Sequence, residues 1–328
     1  MDKKKRSTIF GAALVIFGVL IGIRLGVYLL SDRPGEDGPL LRLPQGGINR
    51  PTRATAAPDP TVPAGPAEPE KLCFSQADAE KIALRYGDGC SYRPDTEALL
   101  WQELNWDLMA DGPTVLIVHT HASESYTQLP GQDYAQTTQY RTLNTDYNMV
   151  ALGEQLAQRL EAAGIRVVHD RSIHDYPSYN SAYNNSREAV QSYLQRYPSI
   201  QVVLDLHRDA VLNSDGSQYA PTVTVGGEEV ARLMLVVGTD GSGMHHPHWQ
   251  ENLSAAIKLQ VLLERQAPGI TRPTILRAQR FNHDLSQGAM IVEIGTAGNT
   301  LQQAMGAVPI LAQALIALCR GTTTDSAT

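Results

Sequence analysis

The chain has 328 residues, enough for one or two domains, and a formal net charge of −7. An acidic balance argues against nucleic acid, whose binding domains are basic or carry a basic patch. The three cysteines, Cys73, Cys90 and Cys319, form no C-x-x-C pair, which argues against a cysteine-ligated zinc centre. Cys73 and Cys90 either pair, if this part of the chain lies outside the cytosol, or stay free thiols.

The first element is "KKKRSTIFGAALVIFGVLIGIRLGVYLL". Lys3, Lys4, Lys5 and Arg6 precede an apolar run from Ile9 to Leu30, interrupted near its far end by Arg24. At roughly 22 residues the run is long enough to cross a hydrocarbon core of ~30 Å. The basic cluster predicts an N-terminus in the cytoplasm and the rest of the chain outside. The run is long for a signal peptide and no small-x-small site closely follows it, so residues 1–31 read as an uncleaved single-pass anchor. Residues 32–70 are rich in Pro, Gly, Ala and Thr, as in "RPTRATAAPDPTVPAGPAEPE". Such a segment cannot bury a core and reads as a disordered tether.

In residues 71–112, Ser75 and Asp78 have the spacing of a helix start, which predicts a small helical region packed on the domain downstream of it. Strands and helices then alternate from residue 113 to 321. "TVLIVHTH" predicts a strand, and "DYNMVALGEQLAQRLEAAG" a helix with Met149, Leu152, Leu156 and Leu160 on one face and Gly164 at its end. Strands are predicted at "IRVVHD", "IQVVLDLHRDA", "ARLMLVVGT" and "AMIVEIG". Helices are predicted around "NNSREAVQSYLQRY", at "WQENLSAAIKLQVLLERQ" and over the closing "NTLQQAMGAVPILAQALIALCR", where Pro309 marks a kink or break. Residues 322–328 read as a disordered tail. The alternation predicts an α/β fold, a central mostly parallel sheet flanked by helices on both faces, with sites beyond the carboxyl ends of the strands.

Three apolar strands end in groups able to do chemistry. The first is followed by His119, His121 and Glu124, the second carries Asp205, His207 and Asp209, and the third carries Glu293. Strand residues two apart share a face, so His119 and His121 are expected to point together, as are Asp205, His207 and Asp209. Two histidines from different strands plus a carboxylate form a common zinc set that leaves a position open for water, and a further carboxylate can take the water's proton. Glu293, flanked by Val292 and Ile294, would be a nearly buried carboxylate, which needs a partner; a salt bridge to Arg208 is the structural alternative. Asp205 or Asp209 would orient His207. The histidines His245, His246 and His248 in "GSGMHHPHW" read as a loop rimming the cleft. Tyr179, Tyr183, Asn184 and Asn185 suit sugar or peptide binding and equally suit a surface loop. There is no G-x-G-x-x-G, Walker loop or G-x-S-x-G.

"HTHASESY", "DLHRDA", "FNHDLS" and "VEIGTAGNT", in this order, resemble the stage II sporulation protein P family over about residues 114–320; the N-terminal anchor and tether are also similar. The resemblance implies a zinc-dependent N-acetylmuramoyl-L-alanine amidase with a fold like that of the cell-wall amidases, cutting the bond between muramic acid and the first alanine of the peptidoglycan stem. Carried onto this chain, it implies His207 as a metal ligand and Glu293 as the catalytic carboxylate. It favours His121 over His119 as the first ligand. The carboxylate ligand is Glu124 by residue type or Asp146 by position. Arg208 is expected to help polarise the scissile carbonyl, and Asp209, Asn282, His283 and Tyr126 to line the substrate cleft; His283 stands where the family usually has Gln. The resemblance also implies septal wall remodelling during sporulation and engulfment, from the outer face of the cell membrane, with a transglycosylase and a membrane scaffold as partners. A zinc endopeptidase on stem peptides and a non-catalytic wall-binding scaffold are the competing expectations.

Overall fold

The computed structural model describes residues 72–321, so the anchor and tether expected over 1–70 and the tail 322–328 lie outside the described residues. Six α-helices and nine strands are built from them. In chain order these are α1 (Gln76–Ala79), β1 (Leu84–Tyr86), α2 (Thr96–Trp101), β2 (Val115–Val118), α3 (Met149–Ala162), β3 (Val167–His169), α4 (Ala182–Arg196), β4 (Val202–Asp209), β5 (Thr222–Val225), β6 (Glu228–Ala231), β7 (Leu233–Gly238), α5 (Trp249–Gln266), β8 (Thr274–Arg277), β9 (Gly288–Thr296) and α6 (Leu301–Gly321).

Local signals start and stop these elements where the sequence places them. Asn148 caps α3 by accepting from the Val150 N–H at 3.0 Å. The Asp78 carboxylate in α1 reaches back to the Ser75 N–H at 2.8 Å, half of a capping box. The helix α6 runs through Pro309 without a break. Residues 72–112, expected to be helical, also contribute β1, which joins the edge of the main sheet. The short strands β1 and β8 are only three and four residues long, too short for periodicity to announce them. The single strand expected at "ARLMLVVGT" divides at Arg232 into β6 and β7.

Seven strands form one sheet in the order β1-β8-β7-β9-β4-β2-β3, and β5 pairs with β6 in a separate hairpin. Every neighbour in the sheet is parallel except β7 and β9. The sheet is thus two parallel blocks facing opposite ways. The carboxyl ends of β2, β4 and β9 share one edge, and those of β1, β7 and β8 lie at the other.

The two faces are covered unequally. Val115 and Ile117 of β2 enter the large core that holds α3, α5 and α6, whereas Leu116 and Val118 pack with Val190 and Val203 under α4. One helix therefore covers the second face over β2 and β4 only. Lys258 of α5 is buried and donates to the Leu99 carbonyl and the Ser254 hydroxyl, both at 2.8 Å, which ties α2 to the core. Among the described residues, α6 is long and apolar enough to cross a membrane by length and composition. Here its Ala304, Val308, Leu311 and Leu315 are buried in the core. Cys73 and Cys90 are free thiols, so no bridge joins them.

Candidate metal centre and cleft

The stretch after β2 is held by Asp205, whose carboxylate accepts from the Thr120 N–H (2.8 Å) and hydroxyl (2.6 Å). A tight turn comes next, with the Glu124 N–H donating to the His121 carbonyl at 3.0 Å. The turn brings His121 and Glu124 to one side, facing His207 on β4. The three are buried, and their ligand atoms lie within 4.8 Å of one another. The Nδ1 atoms of His121 and His207 stand 3.8 and 3.5 Å from the two oxygens of Glu124. Behind His207, Asp205 Oδ1 lies 2.9 Å from Nε2, an ionic contact that leaves Nδ1 for the metal side. Two imidazoles and a carboxylate around one buried point, with a carboxylate behind one imidazole, form a group able to hold a metal ion.

Charge and burial tune the groups strongly. Burial opposes ionisation of Glu124, but Arg208 and the two histidines outweigh it and hold the carboxyl well below the usual range. Burial lowers His121 to about 4, so it is neutral near pH 7. Burial also acts against a charged His207, yet the Asp205 and Glu124 carboxylates raise it well above the ordinary value.

Glu293 stands directly opposite His207 in the β4–β9 register. Burial, with Asp209 and Glu124 nearby, pushes it up to about 8, and its Oε2 has no hydrogen-bond partner among the described residues. Just beyond it β9 bulges: His207 pairs with Glu293, but Asp209 pairs with Thr296. Gly295 supplies the positive φ of 69° at the bulge.

Several expected site residues lie elsewhere or take another part. His119 and His121 do not point together, because β2 ends at Val118 and strand alternation stops there. His119 turns to the opposite face, with Nε2 2.9 Å from His169 Nε2 and Nδ1 3.3 Å from the Leu206 carbonyl. Asp146 is exposed and away from the metal group, and Asn148 takes the helix start. Asp209 lines the cleft with His207, as expected, but pairs with Arg272 at 2.7 Å. Arg208 makes no salt bridge to Glu293. Its guanidinium donates to the Ser125 and Tyr140 carbonyls, both at 3.0 Å, and sits 3.6 Å from Glu124. It holds the Glu124 turn, which makes it a positioning residue in this arrangement. Tyr126 is buried, its hydroxyl donating to the Ile294 carbonyl at 2.8 Å. His283 is buried and accepts from the Gly238 N–H, and Asn282 donates to the Tyr183 carbonyl, so neither faces the cleft. The loop of His245, His246 and His248 comes after β7, which runs against β9, and is thereby delivered to the far edge of the sheet.

Arg141 completes the site without having been flagged in the sequence, and Tyr179 and Tyr183, noted there as suited to sugar or peptide binding, join it. Arg141 donates to Glu124 (3.2 Å) and to Asp175 (2.6 Å). Tyr179 stacks on His121 at 4.6 Å, and Tyr183 meets the same ring edge-on at 5.5 Å. The metal group and Glu293 open into a cleft of about 630 Å³ over the half of the sheet that α4 leaves bare. Asp209, Arg208, Tyr183 and Phe281 line it, together with Arg232 and Arg272.

The family model of Stage II sporulation protein P (SpoIIP) matches residues 68–316. Stage II sporulation protein P of Bacillus subtilis (strain 168) is 27% identical over 206 residues, 59% of this chain; the chain spans about half, 48%, of that relative's length. Solved structures that align with the chain include the N-acetylmuramoyl-L-alanine amidase AmiC2 of Nostoc punctiforme (11% identity, 65% of this chain and 97% of that one, TM-score 0.37). Another is the CwlD amidase from Clostridioides difficile in complex with the GerS lipoprotein (13% identity, 63% and 95%, TM-score 0.38). With its matched region reaching from the first described helix into the last, the chain belongs to the stage II sporulation protein P family.

Proposed function

We propose that this chain is a zinc-dependent N-acetylmuramoyl-L-alanine amidase that cuts peptidoglycan between muramic acid and the first alanine of the stem peptide. The observation that carries the reading is the buried His121–Glu124–His207 group with Glu293 beside His207 at the head of an open cleft. His121, Glu124 and His207 would hold the ion. When bound, zinc supplies Lewis acidity and a water acidified to near neutral pH. Glu293 accepts the proton of the attacking water on its unpartnered Oε2 and delivers it to the departing amine nitrogen. Asp205 fixes the ring of His207, while Arg208 and Arg141 keep the Glu124 carboxylate ionised and aimed. Tyr179 and Tyr183 wall the entrance beside His121.

In this reading residues 9–30 anchor the chain in the cell membrane with the catalytic domain outside, where tethering concentrates it on its polymer. The family resemblance supports a role in septal wall remodelling during sporulation, alongside a transglycosylase and a membrane scaffold. The deciding experiment incubates the full chain with purified peptidoglycan, with zinc or with chelator, and weighs the products. Chelator-sensitive release of intact stem peptides with free muramic lactyl groups is the expected result. Cleaved cross-links without stem release would make the protein a zinc endopeptidase instead, and no cleavage in the presence of zinc would overturn the enzyme reading.

A further inference from the structure

Strand alternation lays out the bare face of the sheet row by row. Arg85 is level with Ile275, Ile275 with Val236, Val236 with Ile291, and Ile291 with Asp205. One row above, Met234 is level with Glu293 and Glu293 with His207. An apolar floor of Met234, Val236, Ile275 and Ile291 thus leads from His207 across four strand spacings, ~19 Å, to the sheet edge at Arg85.

The walls of this floor are cationic, although the protein as a whole is acidic at −7. Arg85, Arg232, Arg272 and Arg277 all line it. Among the described residues, Arg85, Arg232 and Arg277 form no ion pair with a carboxylate, and only Arg272 is partnered, by Asp209. Two of the guanidiniums carry buried donors that nothing among the described residues satisfies. Arg232 gives Nη2 to the Thr271 carbonyl and leaves Nε without a partner; Arg272 leaves Nη1 without one. A buried N–H donor left unpaired costs free energy, and guanidiniums arrayed along a trough match carboxylates in geometry as well as charge.

We propose that the trough over β9, β7, β8 and β1 is a subsite for an extended peptide bearing free carboxylates, with Arg232 and Arg272 binding the carboxylate nearest the metal and Arg85 and Arg277 one further out. The proposal rests on the amidase reading for the identity of that peptide as the peptidoglycan stem. A peptide running outward from Glu293 lays its backbone over the apolar floor and passes its acidic groups between the arginines. Conversion of those carboxylates to carboxamides removes the charge and one acceptor from each pair, so the chain discriminates between amidated and free-acid stems.

The test titrates the full chain by calorimetry with a synthetic stem tetrapeptide in its free-acid form and with the same peptide carrying carboxamides. The free acid should bind at least about tenfold more tightly. Arg85→Gln with Arg277→Gln, at the more open end of the trough, should reduce that preference several-fold, and Arg232→Gln should reduce it further. Arg196→Gln, at the end of α4 and outside the cleft, should leave it unchanged. Near-UV circular dichroism of each variant checks that the fold is kept. Equal binding of the two peptides, or an undiminished preference in the folded arginine variants, would overturn the subsite. Hydrolysis of a muramoyl-peptide separates the two readings: amide cleavage without carboxylate preference sinks the subsite alone, and carboxylate-dependent binding without amide cleavage leaves the subsite and sinks the amidase.

Discussion

Glu293 and His207 are level on adjacent strands, but their partners differ. His207 is gripped from behind by Asp205 and faces Glu124, whereas Glu293 keeps one oxygen free. Glu293→Gln preserves shape and leaves the ligand set alone, so zinc content should stay near wild type while wall hydrolysis falls by at least about 10²-fold. His207→Ala removes a ligand and should lose both metal and turnover; metal analysis beside the activity assay separates the two cases. Asp205→Asn removes the charge behind the His207 ring and one acceptor for Thr120. Zinc affinity should weaken by about 10–100-fold, measured by competition with a chromogenic chelator.

At the level of the helix, α3 carries a glycine where propensity would prefer alanine. Gly153 lies against the His119–His169 pair, and a Cβ there would come within 2.5 Å of His169 Nε2 and 2.6 Å of His119 Nε2. An alanine in a free helix interior gains about 0.5–1 kcal/mol over glycine. Here overpacking of about 1–3 kcal/mol outweighs that gain, so Gly153→Ala should lower the urea midpoint. In α5, burial depresses Lys258 from 10.5 to about 8. The unfolded chain therefore binds more protons than the folded one between those values, and stability rises with pH across the window. Lys258→Met should flatten that rise, worth about 2–3 kcal/mol at about 1.4 kcal/mol per pH unit, in denaturation curves compared at pH 7.5 and 10.

For the molecule as a whole, the metal group joins the loop after β2 to the middle of the sheet. An ion that binds only the folded chain stabilises it by mass action, about 4 kcal/mol at a thousandfold excess over its dissociation constant. Chelation should then lower Tm by several degrees, at about 2–4 °C per kcal/mol for a domain of this size. The His207→Ala protein should show no chelator response. A wild-type Tm indifferent to chelator would mean that the three side chains do not share an ion.

The sequence alone determined the alternating α/β order, the helix caps and the motif positions, because apolar periodicity and cap chemistry are local. It also put His121, His207 and Glu293 at strand ends facing one edge of a parallel block, since "VLIV", "VVLDLH" and "MIVE" each read as buried strands. Tertiary structure decided which of the flagged residues meet. Strand β2 stops at Val118, a limit set by its neighbours in the sheet, and the turn after it sends His119 to the core and His121 to the cleft. Beyond the bulge at Gly295, Asp209 is taken up in its pair with Arg272. The reversal between β7 and β9 carries the His245–His248 loop to the far edge and opens a face that one helix cannot cover. Strand direction and register are properties of long-range pairing, which no local stretch of the chain encodes, and they turn a list of polar strand ends into one metal group at the head of an arginine-lined trough.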